Sequence, residues 1–299
     1  MIDGSGVGLG KVMQGLVKLR TADASMSVLN TTMDTIMGST AGTLNRAVFS
    51  GSLPANTSLD FTTTVAAFDL NTALNYGHTT ASNAGLMTFN GLAANGTTFT
   101  LSGGSFTSSK TQNYNGLLAL GANATLTGTQ VTTTATLDGS LSRYNLTVNG
   151  PLTTGGSMTS LGAVSVTGLA TLGGSQVTSG GAQTYGANVV MAGAGNSFLF
   201  SSALAGGANV SMTGTLTASN ASKALTITAG TGDVSMASAV GGGATALTTV
   251  SVSADEMSLL NIDATQAVTL NPITSGSVGL ISGASTTLTK GAAGVLSLT

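Results

Sequence analysis

Val210-Ser211-Met212-Thr213-Gly214-Thr215-Leu216-Thr217-Ala218 sets an apolar or small residue at every second position, with Ser or Thr between. Side chains of an extended chain point alternately to opposite faces, so the stretch reads as a strand with one buried and one hydroxylated face. Val164, Val166, Gly168, Ala170 and Leu172 alternate in the same way. Further short runs follow at Leu225, Ile227 and Ala229, at Val234 and Met236, at Val250, Val252 and Ala254, and at Val268 and Leu270. Each is ended by Gly, Asn or Asp, the residues of turns. Residues 49–299 are therefore expected to be all-β, with many short strands.

Self-similarity narrows the architecture. Gly103-Gly104-Ser105-Phe106 leads to Gln112-Asn113-Tyr114, and Gly173-Gly174-Ser175-Gln176-Val177 leads to Gln183-Thr184-Tyr185 with one residue inserted. Thr159-Ser160-Leu161-Gly162-Ala163-Val164-Ser165-Val166 returns without a gap as Thr245-Ala246-Leu247-Thr248-Thr249-Val250-Ser251-Val252. Each repeat holds more than one strand and turn, so the structural unit is shorter, on the order of twenty residues per coil of a solenoid.

Composition favours coils over a sandwich. Gly is 43 of the 299 residues, about twice the usual share of roughly 7%. Charged residues are 6%, against about 25% in an ordinary domain. A parallel β-helix stacks like side chains about 4.8 Å apart, which suits small neutral residues and penalises bulky or charged ones. The expected fold is a right-handed parallel β-helix, with Asn and Gly supplying positive φ at its corners. An antiparallel β-sandwich is the alternative, because alternation does not distinguish strand direction.

Residues 1–48 read differently. They hold Lys11, Lys18, Arg20 and Arg46, and the methionines Met1, Met13, Met26, Met33 and Met37. Val12, Leu16 and Leu19, then Val28, Leu29, Met33, Ile36 and Met37, recur at helical spacing. Two short helices are expected as a leader or cap, the second starting at Asp23 or Ser25 and ending at Gly38.

Several chemistries are poorly supplied. The net charge of -2 gives no basic field for nucleic acid. Without Cys there is no thiol nucleophile or Cys-based zinc site, and His78 has no second imidazole to share a metal. Gly4-Ser5-Gly6-Val7-Gly8-Leu9-Gly10-Lys11-Val12 fails as a phosphate loop, because Ser5 and Val12 stand where Gly and Ser or Thr are needed. Ser and Thr interrupt every apolar stretch short of the length of a membrane helix.

Thr111-Gln112-Asn113-Tyr114-Asn115-Gly116-Leu117-Leu118-Ala119-Leu120-Gly121-Ala122-Asn123-Ala124-Thr125-Leu126-Thr127-Gly128 and Gly232-Asp233-Val234-Ser235-Met236-Ala237-Ser238-Ala239-Val240-Gly241-Gly242-Gly243 resemble repeats of large bacterial filamentous-haemagglutinin-like surface exoproteins. Leu288-Thr289-Lys290-Gly291-Ala292-Ala293-Gly294-Val295-Leu296-Ser297-Leu298-Thr299 resembles the autotransporter passenger-associated strand repeat, where a Lys precedes a Gly-Ala-Gly turn and an alternating Leu strand. The resemblance covers roughly residues 90 to 299. It implies a parallel β-helix exported to the bacterial cell surface in a passenger or adhesin role. Met1-Ile2-Asp3-Gly4-Ser5 lacks the basic and apolar regions of an export signal, no membrane barrel follows, and the last residue falls inside a strand motif. The sequence is therefore expected to be part of a longer protein, reaching a membrane only through that remainder.

Asp255 and Glu256 are the adjacent acidic pair, expected at a solvated corner. Gly230-Thr231-Gly232-Asp233 has the look of a calcium nonapeptide, but its aspartate does not recur coil after coil. His78, near Tyr76, Asp60 and Asp69, would serve as a base only if the fold gathered them. Tyr114, Tyr185, Phe198 and Phe200 suit either core packing or a platform for sugars, with packing favoured. Asn95-Gly96-Thr97 and Asn145-Leu146-Thr147 are chance triplets in a Thr-rich chain.

The expectation is a non-catalytic structural or adhesive segment with no catalytic, metal or cofactor residue, presenting surface to a glycan or protein of a host or neighbouring cell. Two alternatives stand beside it. One is a polysaccharide-acting enzyme, which needs Asp138, Arg143, Asp233 or Asp255 to converge. The other is a self-assembling fibre or phage-fibre component.

Overall fold

A computed structural model describes residues 57–63, 67–69, 80–91, 96–101, 104–108, 110–219, 223–242, 247–273, 278–280, 288–290 and 295–298. The expected helices of residues 1–48, the Gly4–Val12 motif, Tyr76, His78 and Asn95 lie outside them. The described residues contain no helix, and the strands form parallel sheets wound as a β-solenoid. The chain divides into two compact units, one up to Ala135 and one from Thr136.

In the unit from Thr136, strands stack in three ladders. The first runs through Leu146–Asn149, Val164–Val166, Gln183–Tyr185, Val210–Met212, Val234–Met236, Met257–Leu259 and Val278–Leu280. The second runs through Leu152–Thr154, Ala170–Leu172, Val189–Met191 and Leu216–Ala218, and continues as bridges to Val240 and Ile262. The third runs through Leu137–Asp138, Met158–Leu161, Gln176–Ser179, Ser197–Ser201, Ala224–Thr228, Leu247–Ala254 and Ile262–Pro272. Both Leu288–Lys290 and Val295–Leu298 pair with the last of these. One strand from each ladder makes one coil.

These pairings are all parallel, which removes the antiparallel sandwich. An isolated bridge from Gly207 to Gly230 is antiparallel. The physical reason lies in coil length. Equivalent corner residues are 18 apart between Asn145 and Ala163 and 27 apart between Asn188 and Thr215. That separation carries the chain around three faces and back to the same ladder in the same direction.

Inward residues meet in register. Phe200, Ile227, Val252 and Leu270 form one inner row, and Phe198, Leu225, Val250 and Val268 form its neighbour, all at most 1% exposed. Full burial of such side chains stabilises by roughly 1.5–3 kcal/mol each. No coil closes this core alone, since each inner row is covered by the next.

The alternating stretch from Val210 to Ala218 is two strands, Val210–Met212 and Leu216–Ala218, on different faces. The period of two survives because inward residues resume after the bend. A Cβ on Gly214 would stand 2.4 Å from the main chain of Ala187 and Asn188, so the bend requires glycine. Gly168 does the same between Val164–Val166 and Ala170–Leu172, where a Cβ would lie 2.5 Å from Gly150 and Pro151.

The unit up to Ala135 repeats the plan. Ala67–Asp69, Thr98–Leu101 and Leu117–Leu120 form one ladder, aligning Phe68, Phe99 and Leu118. The long strand Thr80–Gly91 pairs in turn with Gly104–Ser108 and Thr111–Asn115. These pair onward with Ala124–Thr127 and Gln130–Thr133.

Of the two sequence repeats, one is structural. Gln112 with Tyr114 and Gln183 with Tyr185 occupy the same local arrangement, described below. The ungapped repeat is not structural. Val164–Val166 belongs to the first ladder, whereas Val250–Val252 lies in the third, paired with Leu225–Ile227.

Candidate functional site

The outer face of the first ladder carries a row of neutral side chains in register: Thr147, Ser165, Thr184, Ser211, Ser235 and Ser258. They point outward because their neighbours on either side point into the core. Over three coils this face hollows into a groove of about 350 Å³, lined by Asn209, Ser211, Asp233, Ser235, Glu256 and Ser258 among others.

The groove's acidic edge is a ladder of corner residues. Asn209 Oδ1 accepts the Asp233 N–H at 2.9 Å, and Asp233 Oδ1 accepts the Glu256 N–H at 3.3 Å. Each corner side chain thus satisfies a main-chain donor of the next coil, which the sheet ladder leaves unpaired at the bend. Asn145 and Asn188 act likewise on Ala163 and Thr215, at 2.7 and 3.0 Å. The expectation that corner Asn supplies positive φ is corrected here. Besides glycines, Ser140, Arg143 and Ser160 have positive φ among the described residues, and the asparagines work through their side chains.

Asp255 and Glu256 lie between Leu247–Ala254 and Met257–Leu259, at a bend, as expected of a corner pair. Glu256 is exposed and borders the groove, while Asp255 is half-buried and donates its N–H to Gly232 O at 2.9 Å. The Gly230–Asp233 motif serves coil stacking. Gly230 has φ of 61°, and a Cβ on Gly232 would lie 2.2 Å from the main chain of Ala208. Among the described residues no group of three or more His, Cys, Asp or Glu is placed to hold a metal.

The residues named for a polysaccharide enzyme do not converge. Asp138 is in the third ladder, where its Oδ1 accepts from Ser140 N and Thr159 Oγ1, both at 3.3 Å. Arg143 lies on the adjoining loop against Gly180, while Asp233 and Asp255 belong to later coils.

Tyr114 and Tyr185 are fully buried, and Phe198 and Phe200 at most 1% exposed, so they form no sugar platform. Phe89 stacks on Tyr114 with centroids 5.1 Å apart, and Tyr185 meets Phe200 edge-on at 5.7 Å. The partners of the two tyrosines were not read from sequence. Tyr114 donates to Gln112 Oε1, and Gln112 Nε2 donates to Phe106 O and Thr127 O. Tyr185 donates to Gln183 Oε1, and Gln183 Nε2 donates to Ser179 Oγ and Ser201 O. Burial pushes both phenol pKa values up. The Gln-x-Tyr spacing, present in both copies of the gapped repeat, was the available signal.

Lys223 was missed too. It is fully buried, and its ammonium donates to Gly193 O at 2.6 Å and Gly195 O at 2.7 Å, tying two coils together. Desolvation pulls its pKa down.

Comparison of the chain with protein-family models, with curated proteins and with solved structures finds no match.

Proposed function

We propose that this chain is a non-catalytic structural and adhesive segment of a large secreted or surface-displayed bacterial protein. It works as a stiff framework of stacked coils that presents surface to a glycan or protein of another cell. The observation that carries this reading is the neutral hydroxyl row from Thr147 to Ser258, repeated coil by coil over an apolar interior. A face of this kind is shaped for extended contact, since hydroxyls in register offer many weak hydrogen bonds along several coils. The placement of Asp138 and Arg143 at one corner of an early coil, apart from Asp233 on a later coil, supports it against the polysaccharide-enzyme alternative. The resemblance of residues 90 to 299 to filamentous-haemagglutinin-like and autotransporter passenger repeats points the same way.

The test is to incubate the purified chain with a panel of polysaccharides and with whole cells. Retention on cells or immobilised glycans, with no new reducing ends released, is the expected result. Steady release of reducing ends, abolished by Asp233→Asn, would replace this reading with the enzymatic one.

A further inference from the structure

The corner between the third and first ladders varies in length from coil to coil, from two residues to the eight of 202–209. Only Gly162 and Ala163 separate Met158–Leu161 from Val164–Val166. In the preceding coil the same corner runs from Gly139 to Asn145, between Leu137–Asp138 and Leu146–Asn149. The extra residues form a closed loop. Tyr144 N donates to Gly139 O at 3.1 Å, Arg143 N donates to Ser140 O at 3.1 Å, and Gly162 N holds Tyr144 O at 2.8 Å.

Three features set this loop apart. Ser140 and Arg143 are both held in the left-handed region, at φ of 59° and 54°, where residues with a Cβ are seldom found. Such outliers concentrate at functional positions. Leu141 is fully exposed at the tip, in a chain whose other described large hydrophobic residues are mostly buried. Arg143 is exposed and its guanidinium has no hydrogen-bond or ion-pair partner among the described residues, while Lys223 of the same unit is buried. An apolar tip beside a free guanidinium is the composition of an interface anchor.

The same unit offers a complementary surface. The groove over the first ladder is concave, edged by Asp233 and Glu256, and lined by no cation. The carboxylate of Asp233 is held in place through its bond to the Glu256 main chain. A loop carrying a single positive charge and a groove carrying two negative ones are matched in sign.

We propose that the Gly139–Tyr144 loop of one copy seats in the Asp233 and Glu256 groove of a second copy, with Arg143 meeting the carboxylates and Leu141 covering the groove wall. The contact joins two different patches, so it is heterologous and adds copies in open succession rather than closing as a symmetric pair. It covers three coils of the hydroxyl face described above, but it does not depend on the adhesive reading of that face. A contact of this modest size is weak and falls as salt screens the charges.

Sedimentation equilibrium of the full chain at low ionic strength tests it. Concentration-dependent association is expected, weakened about tenfold or more by Arg143→Glu and equally by Asp233→Lys with Glu256→Lys. Mixing the two variants should restore association, because the reversed charges then match. Circular dichroism of each variant checks that the coils remain folded. A chain that stays monomeric throughout, or association indifferent to all three substitutions, would overturn the proposal. Association of the variants alone that mixing does not strengthen would overturn it equally.

Discussion

The phenol of Tyr185 donates to Gln183 Oε1 from two residues further along one inner face, at 3.3 Å, and Tyr114 does the same to Gln112 at 2.8 Å. A β-strand places residues two apart on the same side, so each pair forms within a single strand. The glutamine amide then reaches main-chain oxygens of its own and the neighbouring coil, Val177 and Ser201 in one case and Phe106 and Thr127 in the other. These are polar pins through an otherwise apolar interior.

Replacing Gln183 by Leu keeps the volume but strands the Tyr185 hydroxyl and the Ser201 carbonyl. A loss of about 2–6 kcal/mol is expected, from two groups left without partners at about 1–3 kcal/mol each, the part-buried carbonyl at the lower end. Tyr185→Phe should cost less, about 1–2 kcal/mol. The double variant should cost less than the sum of the two. Urea denaturation of the set measures the coupling.

Alkaline stability follows from the same tyrosines. Burial raises their folded pKa values above the ordinary phenol value of about 10, so the unfolded chain releases these protons first. Their contribution is complete below about pH 10 and is lost as pH rises beyond it, by about 1.4 kcal/mol per pH unit for each group. Lys223 acts in the opposite sense. Its folded value lies below 10.5, so stability rises with pH between that folded value and 10.5. Melting temperature against pH should therefore climb and then fall, with Lys223→Met removing the climb and Tyr114→Phe or Tyr185→Phe halving the fall.

At the corners, Gly214→Ala puts a methyl 2.4 Å from the main chain of the previous coil. Main chain cannot swing aside as a flexible side chain can, so a cost of about 1–3 kcal/mol or more is expected. Gly195→Ala is the control, since nothing stands within 4 Å of its Cβ position. Thermal unfolding should separate the two clearly.

Asn188→Ala removes the acceptor of the Thr215 N–H. That donor is exposed, so water replaces the lost partner and the expected cost is about 0.5–1.5 kcal/mol. Amide exchange at Thr215 should quicken while that at Val189 and Leu216 is unchanged.

Strand content and the parallel solenoid were legible in the alternation and the small-residue composition, because stacking rewards like residues in register. The number of strands was not. Val210 to Ala218 reads as one element since inward positions keep their period of two across Gly214, and only the near contact of coil on coil reveals the bend. The tyrosines were correctly placed in the core from volume alone, but Gln112 and Gln183 were assigned no role, polar side chains being ordinarily solvated. Lys223 was hidden for the same reason, since a lone lysine near a turn ordinarily lies in water. The groove escaped notice because Asn209, Asp233 and Glu256 are brought together by coils of 24 and 23 residues, and no repeat of fixed length marks them.

The central claim is in-register parallel stacking, and the absence of native cysteine makes it directly measurable. Ser165 and Thr184 are register partners on adjacent coils, and Thr147 lies one coil before Ser165. Cysteines placed at Ser165 and Thr184 should oxidise readily to a disulfide, their Cα atoms being about 5 Å apart, within bonding range. Cysteines at Thr147 and Thr184, two coils apart at about 10 Å, should remain free. Equal bonding in both pairs, or none in the first, would contradict the stacked coils.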